Sequence, residues 1–294
     1  MPFRRITIIG LGLIGGSLGL ALRRSGAVEE VVGVDQSAAV LERARERGLI
    51  DRGTTDPAAG VRDAELVVAA VPVGCFRGVL EAARGGLERD TVVTDVGSVK
   101  GPVHAEAEAV LGADALFVGG HPLAGTEDSG VEAALDRLFD GALCILTPAS
   151  DTPARDRVKA LWELVGCQVV TMDAEAHDRI LAATSHLPHM LAFSLIRTFG
   201  ELDDSDRLAQ FAAGGFRDLT RIAGSDPVMW RDIALANSGP LLEMIDRFED
   251  RLSELRRAIA AGDGPALQAF FGEARTLRRG LPPRAHEDED NDDD

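Results

Sequence analysis

The run Gly119-Gly120-His121-Pro122-Leu123-Ala124-Gly125-Thr126-Glu127 sets a histidine directly after two glycines. An imidazole, with an ordinary pKa of about 6.5, can take a proton from an alcohol near neutral pH. Upstream, Asp95-Val96-Gly97-Ser98-Val99-Lys100 follows a β-type run and brings a hydroxyl, Ser98, that could fix that imidazole or bridge to a substrate oxygen. An isolated histidine is more often structural. The position of His121 after two glycines at the end of a strand favours the functional reading, because open α/β sheets bind ligands at the carboxyl ends of their strands.

The partner chemistry is written at the N-terminus, in Gly10-Leu11-Gly12-Leu13-Ile14-Gly15. Gly10 permits a tight turn, Gly12 lets the backbone approach a pyrophosphate, and Gly15 lets a helix pack against the strand; Leu13 and Ile14 open that helix. Spacing alone is a weak signal. Here it follows a β-type run, opens a helical one, and is followed by Val31-Val32-Gly33-Val34-Asp35, a second strand ending in an acid. Asp35 suits the adenosine ribose hydroxyls and would repel a 2′-phosphate, and Gln36-Ser37 adds no arginine, so NAD is expected over NADP. The alternative for Asp35 is a turn or helix-capping acid. Val71-Pro72-Val73 is read as a loop covering the adenine or phosphate side of the cofactor. A bound nicotinamide next to a base implies hydride chemistry on an alcohol.

Farther along, Ser185-His186-Leu187-Pro188-His189 precedes a helical run, with Pro188 suited to a first turn. No further ligand of suitable spacing accompanies His186 and His189, so no metal is expected. They are read as donors to an anion, or one as a helix cap. Gly214-Gly215-Phe216-Arg217-Asp218-Leu219-Thr220-Arg221 is read as a glycine-started turn in which Arg221 either anchors a substrate carboxylate or forms a surface ion pair. Trp230 reads as core or subunit interface.

Positioning these residues requires a particular framework. Strand-like runs at Arg4–Ile9, Val31–Asp35, Leu66–Val71, Thr91–Asp95, Ala115–Val118, Ala142–Leu146 and Cys167–Met172 alternate with helix-like ones such as Leu13–Arg24, Ala38–Arg47 and Arg155–Val165. The alternation predicts an α/β fold whose N-terminal part is a doubly wound, Rossmann-type parallel sheet over residues 1–172. From Asp173 the β-type runs stop. Apolar residues then recur at three- and four-residue spacing (His189–Phe199, Pro227–Ala236, Pro240–Ala260, Pro265–Leu277), predicting an all-helical C-terminal domain over 173–281.

The closing run HEDEDNDDD predicts an acidic disordered tail over 282–294. A net charge of −17 with scattered basic residues excludes nucleic-acid binding. No segment is long and apolar enough for a membrane span. Arg4-Arg5 before Ile6–Leu22 imitates a signal peptide, but five glycines at dinucleotide-binding spacing interrupt the apolar run. Cys75, Cys144 and Cys167 are odd in number and widely spaced, which points to a reducing cytoplasm and no disulfide framework.

The strings GLGLIGGSLG, DVGSVK, GGHPLAGTEDSG, SHLPH and GGFRDLTRIAGSDPVMWRDI together closely resemble the prephenate dehydrogenase family of tyrosine biosynthesis, in its order and spacing. The resemblance implies NAD-dependent oxidative decarboxylation of prephenate to 4-hydroxyphenylpyruvate. It further implies that His121 acts on the ring hydroxyl as base or polariser and that Ser98 orients that hydroxyl and the nicotinamide. By the same carry-over Arg221 anchors a carboxylate, while Thr126, His186, His189 and Gly214 line the pocket. Glu127 would gate the pocket or tie it to a partner subunit, and Trp230 would contribute across a homodimer interface built by the helical domain. Asp128, where many relatives carry a basic residue, is expected to point to solvent. No chorismate mutase or ACT domain is expected. The nearest rival substrate is arogenate, which would give tyrosine directly, and SHLPH favours prephenate. A β-hydroxyacid dehydrogenase or imine reductase would leave HPLAGTE and DLTRIAGSDP unexplained. An idle NAD-binding regulator would not need Ser98, His121 and Arg221 together.

Overall fold

The structure is a computed structural model that describes residues 3–148, 150–203 and 205–281, so the acidic run 282–294 lies outside the described residues. In the first part, β1 (Phe3–Ile9), α1 (Leu13–Ser25), β2 (Val28–Val34), α2 (Ala38–Glu46), β3 (Arg52–Thr54), α3 (Pro57–Gly60), β4 (Leu66–Ala69), α4 (Phe76–Ala83), β5 (Val92–Asp95) and α5 (Gly101–Leu111) alternate regularly. Next come β6 (Phe117–Pro122), β7 (Leu143–Thr147), α6 (Pro153–Leu164) and β8 (Gln168–Thr171). The strands form one sheet in the order β3-β2-β1-β4-β5-β6-β7-β8. The chain winds outward from β1 to β3 and then returns to β4, so a crevice opens at the β1/β4 switch point, above the carboxyl ends of the strands.

Adjacent strand residues point to opposite faces, and both faces are covered. Ile6 and Ile8 pack with Leu18 and Leu22 of α1 and with Leu161 and Trp162 of α6. Ile9, Val67 and Val93 pack on the other side with Phe76 and Leu80 of α4 and Val103 and Ala107 of α5.

The sheet departs from the expected parallel pattern at one pair. β6 and β7 run antiparallel, with Gly120 opposite Leu146 and His121 opposite Ile145. A parallel return needs a crossover, normally a helix, and the connection between them holds only the 3₁₀ turn Val131–Ala133. The antiparallel ladder also carries β6 past the expected end at Val118, so His121 lies inside the strand.

After β8 every element among the described residues is helical: α7 (Ala174–Leu181), a π-turn over Ala182–His186, α8 (Leu187–Gly200), α9 (Ser205–Leu208), α10 (Gly214–Thr220) and α11 (Pro227–Ala236). Gly214–Thr220, expected as a turn, is a short helix, and the turn proper is the 3₁₀ segment Arg221–Gly224. The chain falls into two compact units, one ending at Ser238 and the other beginning at Gly239. The second unit holds the rest of α12 (Ser238–Ala261) and α13 (Gly264–Arg279), whose Leu242, Leu252, Ile259, Phe271 and Leu277 are exposed.

One buried polar cluster fixes the end of β6. Backbone pairing between β5 and β6 stops at Thr94 and Val118. Beyond it, Asp95 Oδ1 accepts the Gly120 N–H at 3.0 Å and the Lys100 ammonium donates to the Gly120 carbonyl at 2.7 Å. The two side chains form an ion pair with each other, and Asp95 Oδ2 also accepts the Gly97 N–H at 2.7 Å. Both are essentially inaccessible to water. A side chain at 120 would not fit, since a Cβ there would stand 2.7 Å from the Asp95 carbonyl oxygen.

Removing one partner of a buried ion pair strands the other charge, at a cost of about 3–5 kcal/mol. Lys100→Met is therefore expected to lower the unfolding free energy by about that much in urea titrations, and Lys100→Met with Asp95→Asn to recover part of it. A loss below about 1 kcal/mol in the single variant would show that the pair does not hold β6.

Candidate active site

The glycine turn can be read from what a side chain would meet. Gly10 has φ of +92°, and a Cβ on it would lie 2.3 Å from the Ala70 carbonyl oxygen. A Cβ on Gly15 would lie 1.9 Å from the Gly10 carbonyl oxygen, so α1 could not pack as it does with any larger residue. Gly12 is different: a Cβ there meets no protein atom within 4 Å. Nothing in the protein therefore excludes a side chain at 12, and a ligand approaching the backbone gives the missing reason. The same residue caps α1 without a side-chain hydrogen bond, leaving the first-turn N–H groups, those of Leu13 and Ile14 among them, free to face an anion.

Asp35 closes this turn from β2. Its Oδ2 accepts the Leu11 N–H at 3.1 Å and its Oδ1 accepts the Ser37 N–H at 2.9 Å. Ser37, not Asp35, is the cap of α2. Val71 lies against Gly10, and Pro72 is exposed beside it. The residues present therefore fit a dinucleotide: a pyrophosphate over Gly12 and the α1 N-terminus, and a ribose within reach of the Asp35 carboxylate.

His121 is buried, and its Nδ1 lies 2.8 Å from His177 Nε2. His177 Nδ1 in turn lies 2.8 Å from Asp178 Oδ1. The proton positions follow from the far end. Asp178 already accepts the N–H groups of Lys100 (2.7 Å) and Gly101 (2.8 Å). Burial opposes its ionisation, but the hydrogen bonds from His177, Gly101 and Lys100 outweigh burial and hold the carboxyl below its usual range. A carboxylate can only accept, so His177 carries its proton on Nδ1 and presents the Nε2 lone pair. His121 then donates from Nδ1, and its Nε2 keeps a free lone pair.

The expectation of a near-neutral pKa at His121 is corrected here. Burial, followed by the neighbouring His177, Lys100 and His186, pushes it well below the usual histidine range. The ring is neutral at physiological pH, which is the state a base must start from.

The other expected residues join this series to different degrees. Ser98 is half-buried in the β5–α5 loop, and its hydroxyl makes no hydrogen bond among the described residues. His186 is fully buried in the π-turn, and burial, with His177 next, lowers its pKa to about 4. His189 is half-buried, stacks on Trp230 at 3.7 Å between ring centroids, and is bonded through Nδ1 to the Ser185 carbonyl at 2.8 Å. Burial is the main cause of its lowered pKa, and Arg221 contributes. Trp230 is buried in the core. Arg221 and Glu127, both exposed, pair with each other at 2.9 Å. Thr126, Asp128 and Gly214 are exposed, and no hydrogen bond ties Thr126 or Gly214 to the histidines. Among the described residues no group of histidine, cysteine or carboxylate side chains could hold a metal ion.

His177, Asp178 and Asn237 were not singled out in the sequence. In the run Ala174–Leu181, His177 falls four residues before Leu181 on the buried stripe of a short helix. An adjacent His-Asp pair in a helical run is the signal that the sequence offers, and spacing along the chain does not reveal that it meets His121.

With the geometry in place, comparison with known proteins is specific. Residues 18–171 match the family model "Prephenate dehydrogenase, nucleotide-binding domain" and residues 173–273 match "Prephenate dehydrogenase, dimerization domain". The chain is 39% identical over 283 residues to a prephenate dehydrogenase of Bacillus subtilis, covering 95% of this chain and 76% of that one. It is 40% identical over 283 residues to a cyclohexadienyl dehydrogenase of Zymomonas mobilis, covering 95% and 96%. The crystal structure of prephenate dehydrogenase from A. aeolicus in complex with hydroxyphenyl propionate and NAD+ superposes with a TM-score of 0.86 at 39% identity, covering 94% of this chain and 97% of that one.

The neutral histidines have a consequence for stability. His104, His121, His177, His186 and His189 all have lowered values in the folded chain, burial being the first cause in each. The unfolded chain takes up protons near pH 6.5 and the folded one only at lower pH, so their contribution is complete above about 6.5 and is lost as pH falls toward the folded values. The melting temperature is expected to drop between pH 7.5 and 5. Relief of repulsion in so acidic a chain acts in the opposite direction and is screened by salt, so a profile that stays flat or rises at high ionic strength would show that these rings are not held neutral.

Proposed function

The chain belongs to the prephenate dehydrogenase family, and from that premise we propose that it oxidises prephenate with NAD, releasing carbon dioxide and 4-hydroxyphenylpyruvate. The observation that carries this reading is the hydrogen-bonded series His121, His177, Asp178, which leaves a lone pair on His121 Nε2. It stands on the same sheet edge as a turn shaped for a dinucleotide. NAD, when bound, supplies the hydride acceptor.

As hydride leaves the carbinol carbon, His121 Nε2 takes the hydroxyl proton, and the growing positive charge is met through His177 by the Asp178 carboxylate. The ring carboxylate departs as carbon dioxide, and the electrons of the broken bond aromatise the ring toward its oxygen. That oxygen recovers the proton from His121. Ser98, with its hydroxyl uncommitted, orients the substrate oxygen.

Arg221 anchors a substrate carboxylate. It already holds a carboxylate, that of Glu127, and an exposed pair of this kind is worth only about 0–1 kcal/mol. A substrate carboxylate can therefore take the place of Glu127 at small cost, and Glu127 gates the site in that sense. His189, expected as a donor to the same anion, has its N–H committed through Nδ1 to the Ser185 carbonyl; the neutral ring, its plane fixed by Trp230, offers only the Nε2 lone pair and serves as an acceptor. We assign residues 1–172 to cofactor binding and 173–281 to substrate binding and dimer formation. The dimerization model over 173–273 and the exposed apolar side chains of α12 and α13 support this division. Three free cysteines suit a reducing cytoplasm. The likeness to a cyclohexadienyl dehydrogenase favours a second reading, in which arogenate is accepted as well.

NADH formation by the purified protein, followed with prephenate and separately with arogenate, tests the assignment. Turnover on prephenate that falls by about 100-fold or more in His121→Asn is the expected result. Preference for arogenate would move the substrate, and no turnover on either would remove the reaction. For the cofactor, Asp35→Asn is expected to reduce the preference for NAD over NADP by about tenfold or more. An unchanged preference would mean that Asp35 only braces the glycine turn.

A further inference from the structure

Asn237 ends α11 and is almost completely buried. Its side-chain nitrogen lies 2.8 Å from the Asp178 carbonyl oxygen and 3.0 Å from His186 Nδ1. A carbonyl oxygen can only accept, so the amide must present its NH₂ group to Asp178, and its second hydrogen points at His186. His186 Nδ1 must then be an acceptor. A neutral imidazole with a lone pair on Nδ1 carries its proton on Nε2, and a ring this buried, between His177, His189 and Trp230, stays neutral.

The ring also lies within electrostatic reach of His121 and His177. Nε2 is buried without a partner of hydrogen-bonding geometry, and the Ser98 backbone lies close enough to favour the protonated ring in small part. A donor on Nε2 suits a backbone carbonyl there, whereas a lone pair would repel it. His186, expected to line the substrate pocket, is fully buried behind this loop. Resting on the proposed dehydrogenase reading, the geometry points to Asn237 as a positioning residue: it holds His186 in the Nε2–H tautomer, and through that ring it sets the loop that presents Ser98. The same amide braces the backbone of Asp178, so one side chain on α11 steadies both the serine and the histidine sides of the site.

The test uses the full-length protein labelled with ¹⁵N-histidine, with the His186 signals identified by their loss in His186→Phe. In the wild type His186 is expected to show a protonated Nε2 and an unprotonated Nδ1. A proton on Nδ1 overturns the inference without any variant. In Asn237→Asp the new carboxylate can only accept, so His186 is expected to gain a proton on Nδ1. In the same variant kcat with prephenate is expected to fall by about tenfold or more, with the KM for NAD changed less than about twofold. An unaltered His186 spectrum, or kcat within about twofold of the wild type, overturns the inference. If the wild type does not turn over prephenate but the spectra behave as described, the tautomer assignment stands and only the substrate reading falls.

Discussion

Everything at the reacting edge of this sheet depends on a buried lysine. The Lys100 ammonium has left water entirely, and it is tolerated because Asp95 faces it and the Gly120 carbonyl completes its shell. The pair occupies the place where the β5–β6 ladder ends. It takes over both backbone groups of Gly120, and so lets β6 part from β5 and continue alone into its antiparallel pairing with β7. His121 is the next residue. Its backbone is thus held on one side by a strand and on the other, one residue earlier, by an ion pair.

The same short segment supplies the second fixed point. Asp95 and Lys100 close a loop of which Ser98 is the middle, and the N–H groups of Lys100 and Gly101 end on Asp178. Asp178 therefore both caps α5 and directs the proton positions of His177 and His121. Each of these rings is neutral because it is desolvated, and each keeps a defined tautomer because one nitrogen is committed to a partner. Removing water supplies the base in its free form, and the hydrogen bonds decide which nitrogen is free.

The glycine turn follows a different logic, that of space. Gly10 and Gly15 are required by the protein itself, since a Cβ would meet backbone at 2.3 and 1.9 Å. Gly12 has open space around it, and its smallness is explained only by something that is not protein. The motif thus divides into two glycines that build the turn and one that leaves room above it, next to an uncapped helix end.

Much of this was legible in the chain. Alternating β-type and helical runs predicted the wound sheet, and period-three-and-four spacing predicted the helices after residue 173, because burial imposes those periods wherever elements pack. The glycine turn, Asp35, Ser98 and His121 were found because each is local: a turn, a strand end, a residue beside two glycines. The long reach of β6 was missed because a strand's length is set by its partner. The antiparallel β7 was missed because its direction depends on the absence of a helix in the connection. His177 and Asp178 looked like ordinary helical polar residues until α7 packed beside α5 and β6, 56 residues away from His121 in sequence. What the sequence by itself determined is the set of elements and the cofactor turn, since those follow from local sterics and periodic burial. Which nitrogen of which histidine is free was decided only by the tertiary structure, because a proton's position depends on partners that only folding brings within hydrogen-bonding distance.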